Sequence, residues 1–213
     1  MQTKIPYGWE HINMEYEATK IDIAATKYKR AFFHRISKFK YLPDYLLKQA
    51  YNFEQCHSHK IFDKYKRGTL VYVEFGINWG CELSGNHFAL TLDNIDKKSK
   101  QTITVIPLSS KNKKYYSKLS VNLYEVSQHY IANEILKLSK KEMVQYSSQI
   151  DKIKKRYQRY NAAYSYACIN MIQTISKEKI TKINRFDPSG NTIVSTHIMN
   201  YIDEALKREY LAH

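Results

Sequence analysis

Apolar residues fall along this 213-residue chain in two rhythms. Between residues 14 and 33, Ile21, Ala24, Ala25 and Tyr28 recur at helical spacing, with Lys20, Lys27 and Arg30 elsewhere on the wheel. A second helix is expected over Asp44–Phe62, opened by Pro43 and carrying Leu46, Leu47, Ala50, Tyr51 and Phe53. Asp44 sits early in it, where an acid favours a helix N-terminus. From Gly68 the rhythm changes. Thr69–Phe75, Phe88–Leu92 and Thr102–Leu108 are apolar runs rich in β-branched residues, bounded by glycine, Asp-Asn and lysine turn chemistry, and read as strands. Leu119–Leu123 is a weaker strand candidate.

Helical spacing returns over 130–160. Met143, Tyr146, Ile150, Ile153, Tyr157 and Tyr160 step by three and four alternately, a heptad-like seam that packs on the protein itself or on an identical subunit. The opposite face is basic and has two readings, a solvated face or a ridge that tracks phosphates. Ala163–Ile169, with alternating Tyr164 and Tyr166, is a short strand candidate, and Asp187–Asn191 is a loop. Val194, Ile198, Tyr201, Ile202 and Ala205 line one face of a C-terminal helix, with Asp203–Lys207 and Glu204–Arg208 as i,i+4 pairs. The pattern predicts an α+β chain with a helical N-terminal extension over 1–65 and a second domain over 66–213 that carries a helical insertion at about 124–160.

Composition narrows the class. A hydrophobic content of 43% with 25% charged residues fits an ordered globular protein. No apolar run is long enough to span a membrane, and the first twenty residues lack the apolar core of a secretory signal. Cys56, Cys81 and Cys168 are few and widely spaced, and read as free thiols in a reducing cytoplasm. Thirty-four Lys and Arg against 20 Asp and Glu leave +14, and 19 tyrosines accompany them. Positive charge neutralises phosphates and tyrosine rings stack on unpaired bases, so nucleic acid is the natural partner class. A low-GC codon bias would enrich the same residue types without any function.

The chemistry concentrates in residues 66–111. The loop between the first two strands holds three glycines, Glu82 and Ser84, and His87 follows it. The third strand delivers Ser109, Ser110 and Lys111. Hydroxyls and a cation at a strand end suit an anion or phosphate. Trp79 in the loop can stack on a base or pack over the fold. Cys56, His57 and His59 lie together, but no second ligand pair stands at zinc spacing, so no metal and no cofactor are expected. Absence of G-x-x-x-x-G-K-[ST], H-E-x-x-H and G-x-S-x-G motifs leaves ATPase, zinc protease and serine hydrolase readings without support.

Four segments in order resemble the PemK/MazF toxin family. Gly80-Cys81-Glu82-Leu83-Ser84-Gly85 fits the spacing of the family's G-x-E-x-x-G loop, with Ala89 at its alanine. Thr102–Ser110 is similar to T-x-x-V-x-P-(L/I/V)-(T/S)-S, and Met171–Ile180 to Q-I-R-T-I-D-K-x-R-L. Ile202-Asp203-Glu204-Ala205-Leu206 resembles the terminal I-D-E-A-L helix. Two departures stand out: the loop arginine falls at His87, and the arginine of the late element at Gln173.

The resemblance implies a small SH3-like β-barrel of the PemK/MazF/CcdB type, usually a homodimer, acting as a metal-independent endoribonuclease in the cytoplasm. It implies cleavage of single-stranded RNA, mRNA among it, by attack of the ribose 2′-OH, leaving 2′,3′-cyclic phosphate and 5′-OH ends. A cognate antitoxin restrains the enzyme. On these positions His87 is the proton-transfer group, Ser109 the phosphate donor, and Glu82 either a base or a residue that orders its loop. Ser84, Trp79, Ser110, Lys111 and Gln173 are the expected substrate contacts. Two other functions remain open: a binding module of the same fold acting by contact with a gyrase-type target, and an endoribonuclease held by an RNA antitoxin.

Overall fold

The computed structural model describes residues 14–34, 41–54, 61–78, 80–120, 122–158, 160–161 and 164–211. The chain divides into two compact units, Met1–Ser58 and His59–His213. In the first, α1 spans Met14–His34 and α2 spans Leu42–Glu54. Pro43 sits in the first turn of α2, where its missing N–H costs nothing. The helix stops short of the expected Phe62. That residue belongs to the second unit, where its N–H donates to the Lys98 carbonyl at 3.1 Å.

The second unit holds β1 (Thr69–Glu74), β2 (Asn86–Thr91), β3 (Thr102–Ser109), β4 (Tyr116–Lys118), β5 (Tyr166–Cys168), β6 (Gln173–Ser176) and β7 (Thr192–Ile193). Their order in the sheet is β4-β5-β3-β2-β1-β7, with β6 also on β3, and all pairings are antiparallel. β3 changes partner along its length. Thr102–Val105 pair with β6, whereas Leu108 and Ser109 pair with β5. The chain leaving β6 then returns to β1 through the Val73–Ile180 bridge and a Thr181 N–H to Tyr72 carbonyl bond of 2.8 Å. β1, β2, β3 and β6 thereby close on themselves as a small barrel.

Closure explains why the strands read as continuous apolar runs. Alternate residues point inward and outward, and both sides are buried. Val71, Val73, Phe75, Ala89, Ile103, Val105 and Ile175 form the inner cluster. Leu70, Phe88, Leu90, Ile106 and Leu108 form the outer one, covered by helices.

Those helices are α3 (Leu123–Leu136), α4 (Lys140–Gln158) and α5 (Thr196–Tyr210). The weak strand expected at 119–123 is displaced: β4 precedes it, and Asn122 caps α3 by accepting from the Tyr124 N–H at 2.9 Å. The insertion is also two helices and not one. Ser139 and Glu142 cap α4 reciprocally, the Glu142 carboxylate accepting from the Ser139 N–H at 2.9 Å. Ile150, Ile153 and Tyr157 of the heptad-like seam are buried against the protein's own core, with Tyr146 packed beside them. On α5 the expected i,i+4 pairs give way to others. Asp203 takes Arg67, and Glu204 takes Lys207 one turn position closer.

Two buried charge clusters tie loops to this frame. Lys177 and Asp96 pair at 2.7 Å with side chains 1% and 0% exposed. The Lys177 ammonium also donates to the carbonyls of Asp63 and Lys97. Asp187, likewise buried, accepts from the Tyr157 hydroxyl at 2.7 Å, from the N–H groups of Ile183 and Ser189, and from Arg156 at 3.2 Å. The first half of the loop expected at 187–191 is therefore interior, with Asp187, Pro188 and Ser189 buried and Asn191 exposed. The Ser189 hydroxyl then accepts from the Tyr72 N–H at 2.7 Å and pins β1.

Candidate functional site at one end of the barrel

The β1–β2 loop is tied by its own backbone. Phe75 N–H donates to the Gly85 carbonyl at 2.9 Å and Gly85 N–H to the Gly76 carbonyl at 2.6 Å. Both glycines have φ above +80°, a conformation that side chains resist. Asn78 organises the interior of the loop. Its side-chain amide donates to the Leu83 carbonyl at 2.7 Å, and its N–H to the Ser84 hydroxyl at 2.9 Å. Ser84, expected to touch substrate, thus spends its hydroxyl oxygen on loop structure. Glu82 is exposed, and among the described residues its carboxylate receives no hydrogen bond, so the ordering role weighed for it falls to Asn78 and Ser84. Trp79 lies outside the described residues.

His87 follows on β2, opposite Val73 of β1. Its ring is half-buried beside Phe75, with ring centroids 6.3 Å apart. The Nε2–H donates to the Ser84 carbonyl at 3.1 Å, since a carbonyl can only accept. Burial lowers the imidazole pKa below its ordinary 6.5 and outweighs the carbonyls of Ser84 and Leu108, which favour the protonated ring. At neutral pH the ring is therefore mostly neutral and carries a lone pair on one nitrogen.

Ser109 ends β3. The β2–β3 ladder pairs Thr91 with Val105, Leu90 with Ile106 and Ala89 with Pro107. Two further steps in the same register place His87 opposite Ser109. Directly opposed residues of antiparallel strands share a face, so both lie on the barrel-lining side. The Ser109 hydroxyl oxygen accepts from the Lys111 N–H at 3.0 Å, which leaves its proton free to donate. Ser110 and Lys111 follow, exposed. Gln173 begins β6 opposite Val105, on the same face and toward the same end. The barrel therefore gathers His87, Ser109, Ser110, Lys111, Gln173 and the Glu82–Ser84 loop at one end. A shallow cleft there is lined by Ser109, Ser110, Phe88, Leu108, Tyr160 and Tyr164, but not by His87, Glu82 or Gln173.

The family described as PemK-like, MazF-like toxin of type II toxin-antitoxin system matches residues 66–209, well over half of the chain. The chain belongs to this family. The matched span coincides with the barrel and its helices and leaves α1 and α2 outside it. Among solved structures, an endoribonuclease in complex with its cognate antitoxin from a mycobacterial species is 12% identical with a TM-score of 0.38, covering 70% of this chain and 97% of that one. MazF of Deinococcus radiodurans is 10% identical with a TM-score of 0.40, covering 69% and 96%. No curated protein matches the chain. This member of the family carries His87 at the loop position where the resemblance expects arginine.

Sequence reasoning did not single out Asn78, which shapes the loop, or Lys118, and it read Tyr166 only as part of a strand; Tyr166 and Lys118 continue the Ser109 row across the sheet. Ser109 pairs with Tyr166, and Tyr166 with Lys118. The tyrosine alternation on β5 was a usable signal, but its strand partners depend on pairings distant in sequence. No helix among the described residues is long and apolar enough to cross a membrane.

Proposed function

We propose that this chain is the toxin of a toxin–antitoxin pair and a metal-independent endoribonuclease that cleaves single-stranded RNA. What supports the reading is membership of this toxin family together with the β2–β3 register, which, continued two steps past its last paired residues, carries His87 toward Ser109 at one end of the barrel. The 2′-OH attacks the adjacent phosphorus, the bond to the 5′-oxygen breaks, and the products are a 2′,3′-cyclic phosphate and a 5′-OH. Neutral His87 takes the 2′-OH proton, and the leaving 5′-oxygen receives one from the imidazolium so formed or from water. Ser109 donates its free hydroxyl proton to a phosphate oxygen, and Lys111 adds positive charge. Nucleophile and leaving group belong to one strand, so holding that strand in line supplies much of the rate. Glu82 stands ready as a second base at the loop, and Gln173 and Trp79 complete the substrate contacts.

The barrel domain from residue 66 performs this chemistry in a cytoplasmic homodimer. Residues 1–65 and the helical insertion extend the RNA-binding surface or seat the antitoxin, whether protein or RNA. The test is the chemistry of the ends. Labelled single-stranded RNA incubated with the protein in EDTA is expected to yield fragments with the mass of a 2′,3′-cyclic phosphate. Fragments ending only in 5′-phosphate would contradict the mechanism. RNA left intact by a protein that still arrests growth would return the binding-module reading.

A further inference from the structure

The row that contains Ser109 continues onto a surface that the cleavage chemistry does not use. Ser109 faces Tyr166 on β5, and Tyr166 faces Lys118 on β4. Two strand spacings, about 10 Å, separate the first from the last. Tyr164, two residues before Tyr166, lines the same cleft as Ser109 and Ser110. The residue is 62% exposed, and the Lys118 ammonium lies 3.4 Å from its ring centroid. The β3–β4 connection repeats the pairing. Lys114 sits 5.4 Å from the centroid of Tyr115, itself 53% exposed, and Lys113 sits 5.4 Å from that of Tyr116.

No acid interrupts this surface from its own segments. Residues 97–124 contain seven lysines and neither Asp nor Glu, and residues 152–177 are also free of acids. Exposed cations in such a stretch repel one another and gain from a polyanion. Rings held beside those cations offer flat faces to bases, and stacking on a ring is tolerant of sequence. An acidic peptide would satisfy the lysines but would leave the exposed rings unused.

Resting on the endoribonuclease reading above, we propose that Tyr164 and Lys118, with Lys113, Lys114 and Tyr115 beyond them, form a subsite for the single-stranded RNA that flanks the scissile phosphate. Tyr164 stacks on the neighbouring base at the rim of the cleft. Lys118 meets the phosphate that follows, and the β3–β4 lysines track the strand outward. The subsite lies outside the His87–Ser109 chemistry, so it acts on affinity.

The probe is a short, fluorescein-labelled, mixed-sequence single strand of 2′-O-methyl RNA, which lacks the nucleophile and cannot be cleaved. Fluorescence anisotropy over a salt series gives affinity and its salt slope for the full chain. Tyr164→Leu is expected to weaken binding about tenfold or more, and Tyr164→Phe to stay close to wild type. Lys118→Gln is expected to weaken binding and to flatten the salt slope by about 0.7. All are exposed positions, and thermal melts check that the variants fold. Wild type that binds, with Tyr164→Leu and Lys118→Gln binding equally well, refutes the subsite alone. Wild type that neither binds this strand nor cuts ordinary RNA refutes the endoribonuclease reading and the subsite with it. Polyglutamate bound through Lys118 while RNA affinity ignores both variants overturns the proposal in favour of an acidic protein partner.

Discussion

Replacing Lys177 by Met should be among the most damaging single changes to the barrel. The Lys177 ammonium is 1% exposed and uses its donors on Asp96, the Asp63 carbonyl and the Lys97 carbonyl. Methionine leaves the Asp96 carboxylate buried with the Tyr65 N–H, 2.9 Å away, as its remaining described donor. Removing one partner of a buried pair costs about 3–5 kcal/mol, because the other charge stays out of water uncompensated. For a unit the size of residues 59–213, that corresponds to a fall in Tm of about 6–20 °C. Urea unfolding followed by aromatic fluorescence, with thermal melts alongside, measures it. The sharper readout is the double variant Lys177→Met/Asp96→Leu. It removes both charges, so it should be more stable than Lys177→Met alone, although the two carbonyls and the Tyr65 N–H lose their partners. A Tm shift under about 2 °C for Lys177→Met would refute the reasoning. So would a double variant whose loss equals the sum of the two single losses, because that would mean the groups do not interact.

Two further outcomes follow from the site and its frame. The His87 pKa is lowered by burial, so between 6.5 and the folded-state value the unfolded chain binds more protons and stability drops as pH falls through that window. His87→Gln should flatten this dependence in melts taken from neutral pH down to about 5, and a wild-type curve no steeper than the variant's would contradict it. Gly190→Ala should cost about 1–3 kcal/mol and more than Gly85→Ala in urea titrations. Gly190 has φ +80°, and an added Cβ would come within 2.6 Å of the Lys182 side chain and 3.2 Å of the Tyr65 ring, whereas at Gly85, with φ +88°, it meets open space. Equal losses would show that contact with Lys182 and Tyr65 does not matter.

The strands were legible because the barrel buries both their faces, so Thr69–Phe75 and Thr102–Leu108 stand out as unbroken apolar runs. The helix break near residue 138 was legible in principle, since Ser139-Lys-Lys-Glu142 is a capping pattern and the heptad-like seam begins only after it, at Met143. Pairings between distant segments were not legible. Asp203 has a lysine four residues on and still takes Arg67, because the side of α5 that bears it faces the start of β1. Lys177 reads as a surface cation and is the anchor of a loop, since nothing local announces Asp96. The motif residues His87 and Ser109 could be named from sequence, but their opposition depends on the β2–β3 register.

The central claim is that His87 and Ser109 act together on RNA at one end of the barrel. Its most direct test is the single-turnover cleavage rate of labelled single-stranded RNA in EDTA, with enzyme in excess, for wild type, His87→Ala and Ser109→Ala. The account predicts cleavage by wild type, a loss of about 10²–10⁴-fold for His87→Ala and a loss of about 10²–10³-fold for Ser109→Ala, with melting temperatures close to wild type. Equal rates for wild type and His87→Ala would contradict it.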